Sequence, residues 1–389
     1  MKNKNPSRGN VKGDTLPIPD LELIDLEADT GMGSGEDHYI DNTGAVIPAE
    51  YDDGEIKPPF FSRINIHVVL LAVTVLFVAG LVYKVMTFGV HVDLDEIFQD
   101  GPGTYADTFD TFLPLMDTDG NPVFKTYGEG STILFFGNAP FADDRGSGDN
   151  LVSLIRDMTG AEVYNCSVSG SFLAADQSEL NADISPWDAF NFYWLCSLAT
   201  GYHDTTDAEY QKAVAALGES APPEAMEVYN TLTSIDLSTV DVVAVMYDGS
   251  DYLAGHAMYN DGNATDITQF TGNTEAGIEL LQYCYPNIRI IIMSPTYAFG
   301  LDENGNYVSS DIQRYGWDVL STYVIKQYAS CASRMVTFVD NLYGTINEDN
   351  AEDYLTDHLH LNQEGRKKVA ERFVYALNYF KDNNSAAQE

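Results

Sequence analysis

Four short apolar runs constrain this chain more than anything else in it. They read STILFFG (131–137), VDVVAVMY (240–247), NIRIIIMS (287–294) and MVTFVD (335–340). Each is too short for a core helix and lacks the in-out alternation of a half-exposed strand. Runs of roughly 4–8 residues of this kind are strands buried on both faces, as in the middle of a parallel sheet. A fifth strand, AEVYN, is read at 161–165. Between the strands lie stretches of helical period at 149–159, 187–200, 207–217, 222–234, 274–285 and 311–332, and a last one at 362–381 closes the chain. Five strands alternating with helices predict a three-layer α/β/α sandwich around a mainly parallel sheet. The Asn-Gly pair in DENGNY (302–307) adds a hairpin signal.

Upstream of the sandwich the sequence changes character. Residues 64–83, INIHVVLLAVTVLFVAGLVY, are 20 residues without a formal charge. As a helix that is enough to cross the ~30 Å hydrocarbon core. Lys57 and Arg63 precede the stretch; Lys84 follows it, and the next basic residue is Lys125. That bias, and the long segment ahead of it without a clean small-residue cleavage pattern, predict an uncleaved single-pass signal anchor with its N-terminus in the cytoplasm. Residues 1–63 carry a small basic head (Lys2, Lys4, Arg8, Lys12) and then scattered acids, and read as a disordered tail. Residues 84–130 read as a connector packing on the outer domain, which spans 131–383. The expected location is the cell membrane, with the C-terminal domain extracellular.

Composition narrows the partners. The chain has 20 Lys+Arg against 59 Asp+Glu, a formal charge of −39. Such a surface repels phosphate backbones, so nucleic acid is excluded as a partner. The 24 Tyr and 19 Phe can build a substantial core. Cys166, Cys196, Cys284 and Cys331 are widely spaced. In a domain this large they are expected as buried thiols.

Strand ends in an open α/β sheet share one edge, where such folds bind ligands. Conspicuous polar sequence falls there four times. Gly137-Asn138-Ala139-Pro140, then Asp143-Asp144-Arg145, follow the first strand. Asn165-Cys166-Ser167-Val168-Ser169-Gly170-Ser171 follows the second, a small-residue loop able to present backbone N–H groups. Asp248-Gly249-Ser250-Asp251 follows the third, and Asp357-His358-Leu359-His360 precedes the last helix. The Asp357/His360 spacing lets a carboxylate orient an imidazole that faces the cleft, the base and orienter of a hydrolase triad.

From about residue 131 to 380 this arrangement resembles the SGNH (GDSL-type) hydrolase family. The resemblance implies a flavodoxin-like sandwich and esterase or acyl-transfer chemistry. It implies a Gly-Asp-Ser block carrying the nucleophile, an oxyanion hole completed by a Gly in the second loop and an Asn in the third, and an Asp-x-x-His completing the triad. The last block matches at Asp357 and His360, followed by Leu361-Asn362 and Gly365. The first three depart: Ala139 stands at the nucleophile position, Ser167 at the oxyanion glycine and Ser250 at the asparagine, with Asp251 retained. The candidate catalytic residues are therefore His360, Asp357 and Ser250. The candidate binding residues are Gly137, Asn138, Ala139, Ser167, Gly170, Asp248 and Asp251.

Three functions compete. The first is a hydrolase-like domain without the usual serine that binds, or acts on, a cell-envelope ester or glycan. The second is an active esterase or O-acyltransferase with a displaced nucleophile, Ser250, Ser169 or Ser171. The third is a divalent-cation site built from Asp143, Asp144, Asp248, Asp251, Asp357 and His360, a weaker signal because its ligands come from separate loops. No cofactor or resident metal is expected. Arg145 is expected to pair with Asp143 or Asp144. The aromatic stretch Trp187, Phe190, Phe192, Tyr193, Trp194 is expected in the core, and residues 200–234 are a candidate lid.

Overall fold

A computed structural model describes residues 108–117 and 121–386, with side chains to residue 381. The predicted tail and anchor and the first part of the connector lie outside the described residues. Among the described residues no helix is long and apolar enough to cross a membrane.

The main sheet has five strands: β1 (Thr132–Gly137), β2 (Glu162–Asn165), β3 (Val242–Met246), β4 (Arg289–Met293) and β5 (Thr337–Val339). They lie in the order β2-β1-β3-β4-β5, and every pairing is parallel. This is the flavodoxin-like order. Every residue of β3 and β4 is buried, as their continuous apolar sequence requires. Arg289, the exception in composition, sits at the start of β4 and donates to the carbonyls of Ala376 and Leu377.

Seven helices pack on the sheet: α1 (Leu151–Thr159), α2 (Phe192–Thr200), α3 (Thr206–Leu217), α4 (Ala225–Ser234), α5 (Phe270–Cys284), α6 (Leu320–Ser333) and α7 (Gln363–Ala386). α1 packs with α7, while α5 packs with α2 and α6, giving the two outer layers. α1 shows how local sequence sets an element. The Asn150 side chain accepts from the N–H groups of Val152 and Ser153, Gly160 closes the other end, and Leu151, Val152 and Ile155 are buried.

Two helix predictions need correction. The stretch 187–200 is not one helix. A 3₁₀ turn (Pro186–Phe190) ends at Asn191, whose side chain accepts from Trp194 N–H and starts α2 afresh. The stretch 311–332 is helical only from Leu320. Gly316 has φ +95°, a left-handed conformation no helix interior contains, and Tyr252 Oη donates to the Gln313 carbonyl in this irregular approach. The Asn-Gly hairpin forms, as Gly300–Leu301 against Tyr307–Val308. The four cysteines are free thiols, and burial pushes the pKa of each up.

Candidate functional site

In the order β2-β1-β3 the chain leaves β1 to opposite sides, so the crevice of this fold opens where β1 and β3 end. Gly137 is the last residue of β1. A Cβ there would lie 1.9 Å from the Met246 carbonyl oxygen, so only glycine allows the two strand ends to approach this closely. Asn138 follows, fully buried. Its Nδ2 donates to Asp248 Oδ1 (2.8 Å) and to the Ser171 carbonyl (2.9 Å), and its Oδ1 accepts from Asp248 N–H (2.9 Å). One side chain thus ties together the loops after β1, β2 and β3.

Ala139 opens a single helical turn, Ala139–Ala142, with Pro140 behind it. It is the residue at which the sequence resemblance implies a nucleophilic hydroxyl. Its N–H makes no hydrogen bond within the described residues. The chain then turns through Asp143 and Asp144. Asp144 pairs with Arg366 Nη2 at 2.7 Å, and the other guanidinium nitrogens of Arg366 donate to the carbonyls of Asp149 and Leu361. The predicted pairing of Arg145 with these acids does not occur. Arg145 reaches the carbonyls of Asn165 and Ser167 and the carboxylate of Glu227, because its side chain points toward the β2 edge and α4.

In the second loop Val168 N–H donates to the Gly137 carbonyl at 2.9 Å, lacing it to the first. Ser167 is turned away from ligand chemistry: its N–H (3.1 Å) and its hydroxyl (2.5 Å) both donate to Asn165 Oδ1. Gly170, the third residue of the turn closed by Ser171 N–H on the Val168 carbonyl, is exposed. Its N–H makes no hydrogen bond within the described residues. The open donor of this loop is therefore Gly170, while Ser167 closes its own turn. Glu224, from the candidate lid segment, accepts from Ser169 N–H at 2.6 Å.

In the third loop Asp248 is fully buried and accepts from Asn138 and from Ser250 N–H (3.0 Å). Burial raises its pKa, against the lowering effect of Ser250, Asn138 and the charge of His360. Ser250 opens the short helix Ser250–Ala254. Asp251, also buried, accepts from Leu173 N–H and Ala174 N–H and pairs with His256 Nδ1, each at 2.9 Å. It is the strut between the second and third loops, and it does not join His360.

The fourth loop is a tight reversal, closed by a bridge between Leu355 and Leu361. Asp357 Oδ1 accepts from Leu359 N–H and His360 N–H, and Oδ2 from His360 Nδ1, all at 2.8 Å. Burial works to raise the Asp357 pKa, but these three donors outweigh it and hold the carboxylate below its ordinary value. His360 is the mirror case. Burial works against its charged form, yet the bond to Asp357 and the negative charges of Asp357, Asp143 and Asp248 hold its pKa above the ordinary value. Asp143 is itself pushed up, first by burial, with His360 opposing.

The candidate residues thus fall into three groups. Gly137, Asn138, Ala139, Asp248 and Ser250 lie on the loops after β1 and β3, Gly170 is exposed on the loop after β2, and His360 sits on Asp357 with Asp143 and Asp248 near enough to act on its charge. Ser167 and Asp251 serve the scaffold. Ser171, fully buried, donates its hydroxyl to the Val168 carbonyl. His360 Nε2 makes no hydrogen bond within the described residues, so no serine, threonine or cysteine side chain among them is engaged with it. Among the described residues no group of three His, Cys, Asp or Glu side chains is placed to hold a metal ion. The Asn138–Asp248 and Arg366–Asp144 partnerships were not foreseen from the sequence. Their partners lie 110 and 222 residues apart and no local pattern links them.

No family model matches the sequence, and no curated protein matches it. Several solved structures resemble the fold. A protein from Slackia heliotrinireducens provisionally assigned to the SGNH hydrolases is 13% identical, over 64% of this chain and 100% of that one, with a TM-score of 0.35. A carbohydrate acetylesterase from Sinorhizobium meliloti is 12% identical, over 67% of this chain and 100% of that one, with a TM-score of 0.36. A possible lipase from Chitinophaga pinensis is 11% identical, over 65% and 98%, with a TM-score of 0.39. Likeness at this level concerns fold and not activity. The strand order, with the four polar loops gathered at one edge, matches the flavodoxin-like sandwich that the sequence resemblance implies.

Proposed function

We propose that the outer domain binds an ester- or acyl-bearing ligand of the cell envelope, such as an acylated glycan, and does not cleave it through a serine acyl-enzyme. The observation that carries this reading is the pairing of an intact Asp357–His360 dyad with a methyl group at Ala139. His360 Nε2 is left without a hydroxyl to activate. The electrophile-binding half of the site persists in the open N–H groups of Ala139 and Gly170, which suit a carbonyl or carboxylate oxygen. The surrounding carboxylates raise the pKa of His360, and in its protonated form the ring would donate a hydrogen bond there from Nε2. The segment at 64–83, read as an anchor, would keep the domain at the membrane surface.

An Ala139→Ser substitution in the full chain tests this. The native protein is expected to show neither labelling by a fluorophosphonate nor hydrolysis of an aryl acetate above background. Ala139→Ser is expected to gain both, with a rate rise of at least about 10²-fold that a second change, His360→Ala, removes. Labelling of the native protein at Ser250 or Ser169, with ordinary esterase turnover lost on replacing that serine, would overturn the proposal in favour of a displaced nucleophile.

A further inference from the structure

A cavity of about 1000 Å³ lies in the helical layer between α2, α3 and α5, and it shares no residue with the Asp357–His360 cleft. Part of its wall is aromatic. Tyr193 and Trp194 pack at 4.8 Å, Trp194 lies 5.5 Å from the His203 ring, and Tyr202 meets Tyr283 at 6.2 Å with the rings at 84°. Tyr202 and Tyr283 stand at the mouth, 50% and 77% exposed. The ionisable groups on the wall, besides His203 and the tyrosines, are the carboxylates of Glu179, Glu209, Asp266 and Glu279; no lysine or arginine lines it. Lys212 and Arg334 touch Glu209 (3.6 Å) and Glu279 (2.7 Å) without lining the cavity themselves.

We infer that this cavity binds an organic ammonium ion, a quaternary or alkylated amine presented by a small molecule or a surface polymer. Two independent features select that class. Aromatic faces carry negative quadrupole density, and rings set nearly at right angles offer two such faces to one cation. A wall that supplies carboxylates and no lysine or arginine, on a chain of net charge −39, attracts cations and repels anions. A neutral sugar could stack on the same rings but would gain nothing from the charge. The carboxylates alone do not explain a wall that also carries Tyr193, Trp194, Tyr202 and Tyr283.

The test is calorimetry and saturation-transfer NMR on the full chain in non-ionic detergent, with tetramethylammonium, choline, glucose and acetate as probes. Saturable binding of tetramethylammonium and choline is expected, weakened several-fold by raising salt. Tyr202→Ala and Tyr283→Ala, exposed positions whose replacement leaves the core intact, are each expected to weaken it about 3- to 10-fold. Absence of ammonium binding, or equal binding of glucose, would overturn the inference, as would ammonium binding insensitive to both substitutions. Failure here leaves the ester-site proposal untouched, because the two sites share no residue.

Discussion

His360 is a histidine surrounded by negative charge: Asp357 bonded to one nitrogen, Asp143 and Asp248 acting across the cleft. Its raised folded pKa means that its contribution to stability is fully present below the unfolded value of about 6.5 and is lost as pH rises through the folded one. Asp357, with a depressed pKa, contributes above its unfolded value of about 3.9 and loses that contribution as pH falls through the folded one. The dyad therefore stabilises most between roughly pH 4 and 6.5. Asp143 and Asp248, raised by burial, lose their contribution as pH rises from the unfolded value of about 3.9 through their folded values, since ionising them inside the fold costs more than in the unfolded chain. The ring proton of His360 in NMR is expected to titrate above an ordinary histidine, and Asp357→Asn to bring it down. The stability advantage of the native chain over His360→Gln is expected to be largest near pH 5–6 and to shrink toward pH 9. The ring is 40% exposed, so the advantage should stay below about 1 kcal/mol. A midpoint at or below the ordinary value would refute the three-carboxylate environment.

At the scale of elements, the loops are held by a clamp whose chemistry requires an amide at position 138. Asn138 can donate to Asp248 and to the Ser171 carbonyl only because it is an amide; a carboxylate at 138 would face both acceptors at hydrogen-bond distance. Asn138→Asp is therefore expected to destabilise the domain by about 2–4 kcal/mol at neutral pH and by less near pH 4, where the buried pair can share a proton. Adding Asp248→Asn should relieve the charge repulsion without restoring the bond to Ser171, so recovery should be partial. Urea midpoints of the two variants at both pH values check this; an Asn138→Asp variant as stable as the native chain would show the clamp to be unimportant. This clamp also marks where sequence reading runs out. Strands β1, β3 and β4 were legible because burial on both faces demands unbroken apolar runs. The Asp357–His360 dyad was legible because both partners sit on one reversal. The irregular path before α6 was not, because helical period continued across Gly316 while Tyr252 packing decided the backbone. Arg145 was assigned to its sequence neighbours, whereas its partners lie on β2 and α4, and the cation beside Asp144 comes from α7.

Across the whole molecule, the described part of the connector reaches the sheet. Thr111 pairs antiparallel with Phe338 and exchanges both backbone hydrogen bonds with it (3.0 and 2.9 Å), adding a short bridge along the outer edge of β5. Phe109 N–H donates to Asp340 at 3.0 Å, Asp340 N–H donates to Asp110 at 2.8 Å, and Asp110 pairs with Arg372 of α7. The Asp110–Arg372 pair is nearly buried, 12% and 4% exposed, so removing Asp110 breaks an ion pair in a largely dry site. An uncovered β5 would also offer unpaired backbone groups as a template for a second chain. A chain beginning at residue 114 should therefore be less stable than one beginning at 108 by about 3–5 kcal/mol, the cost of breaking a buried ion pair. It should also associate with increasing concentration, because β5 becomes a free edge. Arg372→Met in the 114 form separates the two effects. Removing the guanidinium should recover part of the stability but leave the edge open, so self-association in sedimentation should persist. If the 108 and 114 forms share a urea midpoint and both remain monomeric, the segment is a passenger on the sheet and not its outermost member.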